Sequence, residues 1–470
     1  MTYSNIIPKE KIIQRLQFEN PWWRSNEIEP GMKALPRRLY FEQFLPIVSD
    51  RTLKRAVVLM GPRRVGKTVL MHHAISALIN QGVLAKNILF VGIDNPIYTT
   101  IGLEDLFHIG LKASGTQSSS DMFVFFDEIQ YLKDWERHLK IMVDSYPQVK
   151  FIVSGSAAAA LKLKSTESGA GRFTEFMLPP LTFQEFLELQ NMQPLVTKDG
   201  EKFKVSDIKA LNTQFLNYIN YGGYPEVIFS STIRDNMAKY IKNDIIDKVL
   251  LRDLPSLYGI RDVQEMNSFF AYLAYNTGKE FSLERISQES GIDKNLIKKY
   301  LTYLEAAFLI KVVHKVDERS ARFKRITFFK IYLTSASIRS AMFSPIDYLD
   351  EEMGLMVETA VFAQWMHNEN ISLRYARWKL GGAEGEVDMV SIDSLKQKAK
   401  WCLEIKWSNR YIQKPNDLKS LLFYCEQNGL NDATITTIDK TDAFAYKNIN
   451  LNFIPAAIYA YTIGYNSLNN

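Results

Sequence analysis

The chain is organised around residues 56–69, which read Ala56-Val57-Val58-Leu59-Met60-Gly61-Pro62-Arg63-Arg64-Val65-Gly66-Lys67-Thr68-Val69. An apolar run typical of a strand leads into a glycine loop with the spacing G-x-x-x-x-G-K-T, and a helical pattern follows. The glycines let the backbone curl so that successive N–H groups face a polyphosphate, and the helix N-terminus adds a partial positive charge. The sequence therefore predicts a phosphate-binding loop at residues 61–69.

Two side chains at the end of this loop have predicted roles. Lys67 is long enough to reach the β- and γ-phosphates, and the hydroxyl of Thr68 is a ligand for Mg²⁺. The expected cofactors are therefore ATP and Mg²⁺. The alternative is a glycine-rich turn that occurs here by chance.

Composition limits the class of protein. A chain of 470 residues is too long for one hydrophobic core and predicts several domains. Its net charge of +5 is small for this length, so any surface for nucleic acid must be found locally. The two cysteines, Cys402 and Cys425, lack metal-binding spacing and suit a reducing compartment. With no signal peptide and no apolar run of about 18 residues, we expect a cytoplasmic protein without membrane contact.

A second motif follows about sixty residues after the loop. The segment Met122-Phe123-Val124-Phe125-Phe126-Asp127-Glu128 is apolar until it ends in two carboxylates, as expected for a strand buried on both faces. This is a Walker B pattern, in which Asp127 holds Mg²⁺ and Glu128 polarises the attacking water. A strand that ends in a solvated acidic turn is the alternative.

Two further candidates concern the γ-phosphate. Ser154 follows the strand at 149–153 and has the position of a sensor 1 residue, with Ser156 in reserve and a plain turn as the alternative. Arg172 follows Gly169-Ala170-Gly171 and has the position of an arginine finger that reaches a neighbouring subunit. An ordinary exposed arginine explains the same pattern.

These motifs, with Leu178-Pro179-Pro180-Leu181-Thr182-Phe183-Gln184-Glu185-Phe186 after them, resemble a family of bacterial and archaeal AAA+ ATPases. In that family the ATPase domain precedes a winged helix and a C-terminal domain of the restriction-endonuclease type. The resemblance implies ATP binding and hydrolysis, homo-oligomers and a cytoplasmic setting. Ser154 departs from the family pattern, because threonine is more frequent at this position, but serine keeps the hydroxyl group.

The predicted fold class is α/β, with a P-loop parallel sheet followed by a helical lid, a winged helix and an α/β PD-(D/E)xK nuclease-like domain. The predicted segments are an N-terminal helical arm at 1–36, the AAA+ core at 37–190, the lid at 191–260, the winged helix at 261–340 and the nuclease-like domain at 341–470.

The winged-helix prediction depends on two caps and an apolar face. Ser282 and Asp293 are placed to cap successive helices separated by the turn Ser290-Gly291. Basic residues on the second helix and on the following hairpin are candidates for DNA phosphates: Lys294, Lys298, Lys299, Arg322, Lys324 and Arg325. A winged helix used for intramolecular docking or protein contacts is the alternative.

The last domain contains a possible metal site. Asp388 lies sixteen residues before Glu404-Ile405-Lys406, and Glu404 and Lys406 share one face of a strand. In the PD-(D/E)xK pattern Asp388 and Glu404 bind Mg²⁺, Lys406 acts on the water, and Glu358 completes the site from a helix. An inactive nuclease fold, an unrelated fold and a surface ladder of salt bridges remain open.

Three hypotheses for function follow. The first is an ATP-hydrolysing AAA+ protein that acts on DNA or is regulated by DNA. The second is a nucleotide-driven switch or assembly factor whose nuclease-like domain only binds protein. The third is an Mg²⁺-dependent nuclease licensed by ATP.

Overall fold

The computed structural model describes residues 8–98, 100–116, 121–155, 171–200, 202–316, 328–368, 371–380, 383–393, 395 and 398–469. The chain divides into two compact units, Met1–Pro179 and Pro180–Asn470.

The first unit contains a five-stranded sheet of order β2-β3-β4-β1-β5 in which every strand pair is parallel. Its strands are β1 Ala56–Met60, β2 Ile88–Gly92, β3 Phe123–Asp127, β4 Lys150–Gly155 and β5 Phe173–Met177. The strands β1, β3 and β4 are buried along their whole length, because helices cover both faces of such a sheet. Their carboxyl ends form one edge, where α/β proteins bind ligands.

Seven described helices belong to the first unit. They are α1 Lys9–Glu19, α2 Trp22–Ser25, α3 Pro30–Ala34, α4 Phe41–Ser49, α5 Lys67–Asn80, α6 Leu103–Ser114 and α7 Trp135–Ser145, with 3₁₀ turns at Ala85–Asn87 and Ile129–Tyr131. The predicted strands before the loop, at 122–128 and at 149–153 are thus all present. Strand β5 was not predicted, because it is a half-exposed edge strand with polar residues in its first half.

The N-terminal arm covers the edge strand β2. The side-chain amide of Asn20 donates to the carbonyl of Phe90 at 2.8 Å and accepts from the Phe90 N–H at 2.6 Å, as a neighbouring strand would. The indole of Trp22 donates to the carbonyl of Ile88 at 3.0 Å. These hydrogen bonds satisfy backbone groups of the edge strand that could otherwise pair with a strand of another chain.

The described residues of the second unit form three sheets. A hairpin is formed by β6 Val196–Asp199 and β7 Lys202–Val205. A three-stranded antiparallel sheet has the order β8-β10-β9, and a six-stranded mixed sheet has the order β11-β12-β13-β14-β16-β15. The remaining strands are β8 Glu280–Ser282, β9 Ile310–His314, β10 Phe328–Leu333, β11 Leu373–Leu380, β12 Ala383–Ile392, β13 Ala399–Glu404, β14 Asp432–Thr437, β15 Asp442–Tyr446 and β16 Ile449–Pro455.

The described part of the second unit also contains helices. They are α8 Phe183–Leu189, α9 Ile208–Tyr221, α10 Pro225–Phe229, α11 Ser231–Asp235, α12 Met237–Tyr240, α13 Leu254–Tyr258, α14 Val263–Tyr275, α15 Leu283–Ser290, α16 Lys294–Ala306, α17 Ser337–Met342, α18 Met353–Trp365, α19 Arg410–Gln413, α20 Lys419–Asn428 and α21 Ala456–Asn469. Two π-helical segments, Ile241–Ile246 and Val249–Asp253, lie between α12 and α13, and 3₁₀ turns occur at Gln193–Leu195 and Pro415–Asp417.

Separate apolar cores lie against the six-stranded sheet. In one, α18 and α21 pack with residues of α8 and α9, and in the other α20 packs on β12 and β13. The β6–β7 hairpin departs from the predicted helical lid. Asp199 and Lys202 are the last pair of the hairpin, and Gly200 directly follows β6 with a φ of +63°. In β7 the side chains of Lys202, Phe203, Lys204 and Val205 alternate between the two faces of the strand.

Candidate functional site

The phosphate-binding loop connects β1 to α5. Gly66 has a φ of +95°, a backbone conformation that residues with a Cβ rarely adopt. A Cβ on Gly61 would lie 2.1 Å from the carbonyl oxygen of Leu178, so only glycine allows this close approach. Helix α5 begins at Lys67, and the loop therefore directs its N–H groups and the positive end of the helix towards the same position.

Lys67 is held inside the loop. Its side chain is buried, and the ammonium group donates to the carbonyl oxygens of Gly61 at 3.0 Å and of Pro62 at 2.7 Å. Because these hydrogen bonds fix the ammonium group inside the loop, its positive charge lies where the phosphate oxygens of a nucleotide would bind.

The Walker B residues meet the loop across the sheet. The hydroxyl of Thr68 donates to Oδ2 of Asp127 at 2.7 Å, although 59 residues separate them in sequence. A hydroxyl and a carboxylate in direct contact are suitable ligands for one Mg²⁺ ion that also binds nucleotide phosphates. The residues present therefore fit ATP with Mg²⁺.

Ser154 links the side chain of Asp127 to the backbone of Glu128. Its hydroxyl donates to Oδ1 of Asp127 and accepts a 3.0 Å hydrogen bond from the backbone N–H of Glu128. Strands β3 and β4 are neighbours, which places the end of one beside the end of the other. Ser154 therefore fixes the turn that carries Glu128. The reserve candidate Ser156 lies outside the described residues.

Burial controls the charge of Asp127. Desolvation, reinforced by the charge of Glu128, raises the pKa of Asp127 to about 6, against hydrogen bonds from Ser154 and Thr68 that lower it. The carboxyl group is thus ionised at neutral pH, and a cation bound beside it would stabilise its negative charge.

Glu128 has a left-handed backbone conformation, with φ +55° and ψ +48°. This conformation is unfavourable for a residue with a side chain, and the Ser154 hydrogen bond helps to hold it. The side-chain amide of Gln130 donates to Oε2 of Glu128, and Arg63 donates to the hydroxyl of Tyr131 at 3.1 Å. Gln130 has no role predicted from the sequence, although it follows Glu128 by only two residues.

A second residue that sequence reasoning missed is Arg38, which precedes α4. Its guanidinium is buried and donates to the carbonyl of Val65 at 2.8 Å and to that of Pro179 at 3.0 Å. Arg38 therefore ties the phosphate-binding loop to the segment after β5. The predicted arginine finger, Arg172, lies directly before β5 and forms a half-exposed ion pair with Asp144 at 2.9 Å.

In the second unit, the basic residues predicted to contact DNA are only partly described. Lys294, Lys298 and Lys299 lie exposed on α16, which follows α15 after a turn at Gly291. Lys294 forms an ion pair with Glu284 at 3.1 Å. The structure gives neither Lys298 nor Lys299 an ion pair with any residue that it describes. Arg322, Lys324 and Arg325 lie outside the described residues, and the winged-helix interpretation stays a prediction.

The structure brings the four predicted C-terminal residues together. Lys406 contacts Oε1 of Glu404 at 2.7 Å and Oδ2 of Asp388 at 3.5 Å. The backbone N–H of Ile405 donates to Asp388 Oδ2 at 2.8 Å. Glu358 joins this cluster from α18 and, like Asp388 and Glu404, is largely buried.

A lysine without a predicted role lies among these carboxylates. The ammonium group of Lys330, from β10, is 3.0 Å from Glu358 Oε1, 2.6 Å from Glu386 Oε1 and 3.9 Å from Asp388 Oδ1. The hydroxyl of Tyr332 also donates to Glu358 Oε1 at 2.5 Å. Burial and the charge of Asp388 raise the pKa of Glu404 to about 8, and burial raises that of Glu358.

The carboxylates of this cluster do not fit an Mg²⁺ ion as they stand. Within the parts of the chain that the structure describes, no group of three or more His, Cys, Asp or Glu residues is placed to hold a metal. The ammonium groups of Lys330 and Lys406 contact carboxylate oxygens that the PD-(D/E)xK pattern assigns to metal binding. In this arrangement the positive charge that the carboxylates require comes from lysine side chains.

Among the described residues, no helix is both long and apolar enough to cross a bilayer. Residues 53–187 match the sequence model of a family described as AAA domain, and residues 212–348 match a domain of unknown function.

Two curated relatives are described as uncharacterized proteins. One, from Haemophilus influenzae, is 25% identical over 61% of this chain and 68% of its own length. The other, from Methanocaldococcus jannaschii, is 25% identical over 75% of this chain and 76% of its own. A solved structure of a Thermotoga maritima RuvB mutant aligns with a TM-score of 0.30 at 16% identity, over 58% of this chain and 89% of that one. The family match and the five-stranded parallel sheet together show that the chain contains a P-loop domain of the AAA type.

Proposed function

We propose that this protein binds ATP with Mg²⁺ and hydrolyses the nucleotide at the carboxyl edge of the five-stranded sheet. The observation that carries the proposal is the contact between Thr68 and Asp127, which joins the phosphate-binding loop to the Walker B strand at 2.7 Å. Ser154 extends this contact to Glu128. Three motifs that are distant in sequence thereby converge on one position.

Each residue of the site has a definite task. The loop N–H groups and Lys67 bind the phosphates, while Thr68 and Asp127 would hold Mg²⁺, which neutralises charge on the β- and γ-phosphate oxygens when bound. Glu128 orients a water molecule and accepts its proton as the water attacks. Ser154 positions Glu128 and keeps one oxygen of Asp127 engaged.

The test compares nucleotide binding with turnover in matched variants. Glu128→Gln should retain ATP affinity and lose at least about 100-fold in kcat, the usual contribution of a general base. Lys67→Ala should lose ATP binding. Glu104→Gln is the control, since Glu104 is an exposed residue of α6 whose partner is Tyr146. A Glu128→Gln protein with the turnover of the unmodified protein would exclude this site as the source of hydrolysis.

The proposal includes a homo-oligomer in which Arg172 acts on the nucleotide of a neighbouring subunit. What supports it is the half-exposed position of Arg172, whose ion-pair partner Asp144 is itself exposed. An exposed ion pair contributes little to stability, so Arg172 can exchange partners at small cost. Arg172→Ala should reduce ATP turnover without weakening ATP binding, and Asp144→Ala should not.

A second candidate function is DNA binding by the second unit. The exposed lysines of α16 favour it, since Lys298 and Lys299 form no ion pair with any described residue. Such lysines attract phosphates without reading sequence. ATP turnover measured with and without duplex and single-stranded DNA separates this role from the protein-binding alternative, which predicts no stimulation.

A further inference from the structure

Lys330 is an unusual residue for its position. It lies in β10, whose sequence Phe328-Phe329-Lys330-Ile331-Tyr332-Leu333 is otherwise apolar, and it is only 2% exposed. Alternation along the strand places Lys330 and Tyr332 on one face, and both reach the carboxylate cluster of the six-stranded sheet. Phe329 and Ile331 point to the opposite face and are buried as well.

A buried ammonium group is costly unless opposite charges surround it. Lys330 has three carboxylates within 4 Å, those of Glu358, Glu386 and Asp388. The carboxylates in turn would repel one another without a cation between them. The charge of Lys330 therefore offsets the repulsion among the carboxylates, and the carboxylates stabilise the buried ammonium group. A bound metal ion and its carboxylate ligands stabilise each other in the same way.

We propose that Lys330 is the built-in cation of this cluster and that it closes the nuclease-like site to divalent metal. Asp388 has both oxygens engaged, Oδ1 near Lys330 and Oδ2 with Ile405 N–H and Lys406. Glu358 Oε1 accepts from Lys330 and from Tyr332. A metal ion could use Asp388 Oδ1 and Glu358 Oε1 only after Lys330 had withdrawn from them.

The contacts of Lys330 also join the three-stranded sheet to the six-stranded sheet of the second unit. Beside Lys330, the hydroxyl of Tyr375 in β11 donates to Glu280 in β8 at 2.8 Å, and Arg377 contacts Glu280 at 2.7 Å. The three-stranded sheet is therefore held on the six-stranded sheet by charged and polar groups around the cluster. This inference concerns the second unit alone and does not depend on ATP hydrolysis.

One atom opposes the proposal and makes it testable. Oε2 of Glu404 is buried and has no hydrogen-bond partner among the described residues. A buried oxygen without a partner is costly, and a cation bound there would satisfy it. If such a cation binds, the unmodified protein has a metal site despite Lys330.

The experiment is a titration of nucleotide-free protein with Mn²⁺, in which free Mn²⁺ is followed by electron paramagnetic resonance. The unmodified protein and Asp388→Asn should give the same curve. Lys330→Met should gain one bound Mn²⁺, and the double variant Lys330→Met with Asp388→Asn should lose it again. Lys311→Met is the matched control, because Lys311 lies exposed on the neighbouring β9.

Two results would overturn the proposal. The first is an Mn²⁺ site in the unmodified protein that Asp388→Asn removes. The second is a folded Lys330→Met protein, judged by circular dichroism, that gains no Mn²⁺. Should Lys330→Met fail to fold, the comparison of the unmodified protein with Asp388→Asn decides alone, since equal curves support the proposal and a lost site refutes it.

Discussion

Arg38 donates a hydrogen bond to the backbone carbonyl of Val65 inside the phosphate-binding loop, at 2.8 Å. The same guanidinium holds the carbonyl of Pro179, which follows the edge strand β5. A loop that must present several N–H groups at once depends on such fixed contacts, because a mobile loop would lose entropy whenever it bound phosphate.

The first prediction concerns this contact. Arg38→Ala leaves two carbonyls without their charged donor and should weaken ATP binding about 10-fold, the effect of losing a hydrogen bond of roughly 1.5 kcal/mol. Arg38→Lys should show an intermediate loss. Arg37→Ala is the control, since Arg37 is exposed and stacks on Phe41 instead. Titration with a fluorescent ATP analogue measures the effect, and equal affinities for the two alanine variants would contradict it.

The second prediction separates positioning from binding. Ser154→Ala removes the donor to Asp127 and the acceptor for Glu128 N–H, so kcat should fall about 10-fold while ATP affinity changes little. Ser154→Thr keeps the hydroxyl and should restore most of the rate. Ser114→Ala tests whether any loss of a buried serine has this effect, because the Ser114 hydroxyl bonds only within its own turn region. A fall in affinity equal to the fall in kcat would argue against a positioning role.

The motifs of the site that could be predicted from the sequence share one property. In each of them the residues that carry the chemistry are contiguous in the chain. Gly61 to Thr68 form one loop, and Asp127 with Glu128 ends one strand, so spacing alone identifies them. The parallel sheet then brings the motifs together because the strand ends meet at one edge. The AAA-type fold of this region was predicted for the same reason.

Arg38 and Lys330 could not be found in that way. Arg38 acts on carbonyls that are 27 and 141 residues away, and a backbone carbonyl carries no sequence signal. Lys330 is 28 residues from Glu358 and lies in a strand that reads as apolar. The pairing of oppositely charged residues in a buried cluster depends on how two sheets pack, which residue spacing does not encode.

The third prediction concerns stability in acid. Desolvation lowers the pKa of His72 from 6.5 to about 4, with the charge of His73 as a smaller cause. The unfolded chain therefore binds a proton below pH 6.5 that the folded protein does not, so stability is full above pH 6.5 and falls as the pH drops towards 4. The loss should be about 3 kcal/mol at pH 4, at ~1.4 kcal/mol for each pH unit.

Chemical denaturation between pH 7 and pH 4 measures this loss. His72 packs between Trp22 and Phe90, at ring distances of 5.9 and 4.7 Å, so His72→Leu keeps an apolar side chain there and should flatten the pH dependence. His108→Gln is the control, because His108 is exposed. A pH dependence that is unchanged in His72→Leu would place the acid sensitivity elsewhere.

The last prediction tests the DNA proposal through its dependence on salt. Each lysine that contacts a phosphate adds about 0.9 to the slope of log affinity against log salt concentration, because it releases condensed counterions from duplex DNA. Lys298→Ala combined with Lys299→Ala should therefore weaken binding of any duplex sequence and reduce the slope by about 1.8. Lys414→Ala with Lys419→Ala removes the same charge from exposed positions of the second unit and should leave the slope unchanged. Equal slopes for the two double variants would mean that general positive charge, and not the exposed face of α16, attracts the DNA.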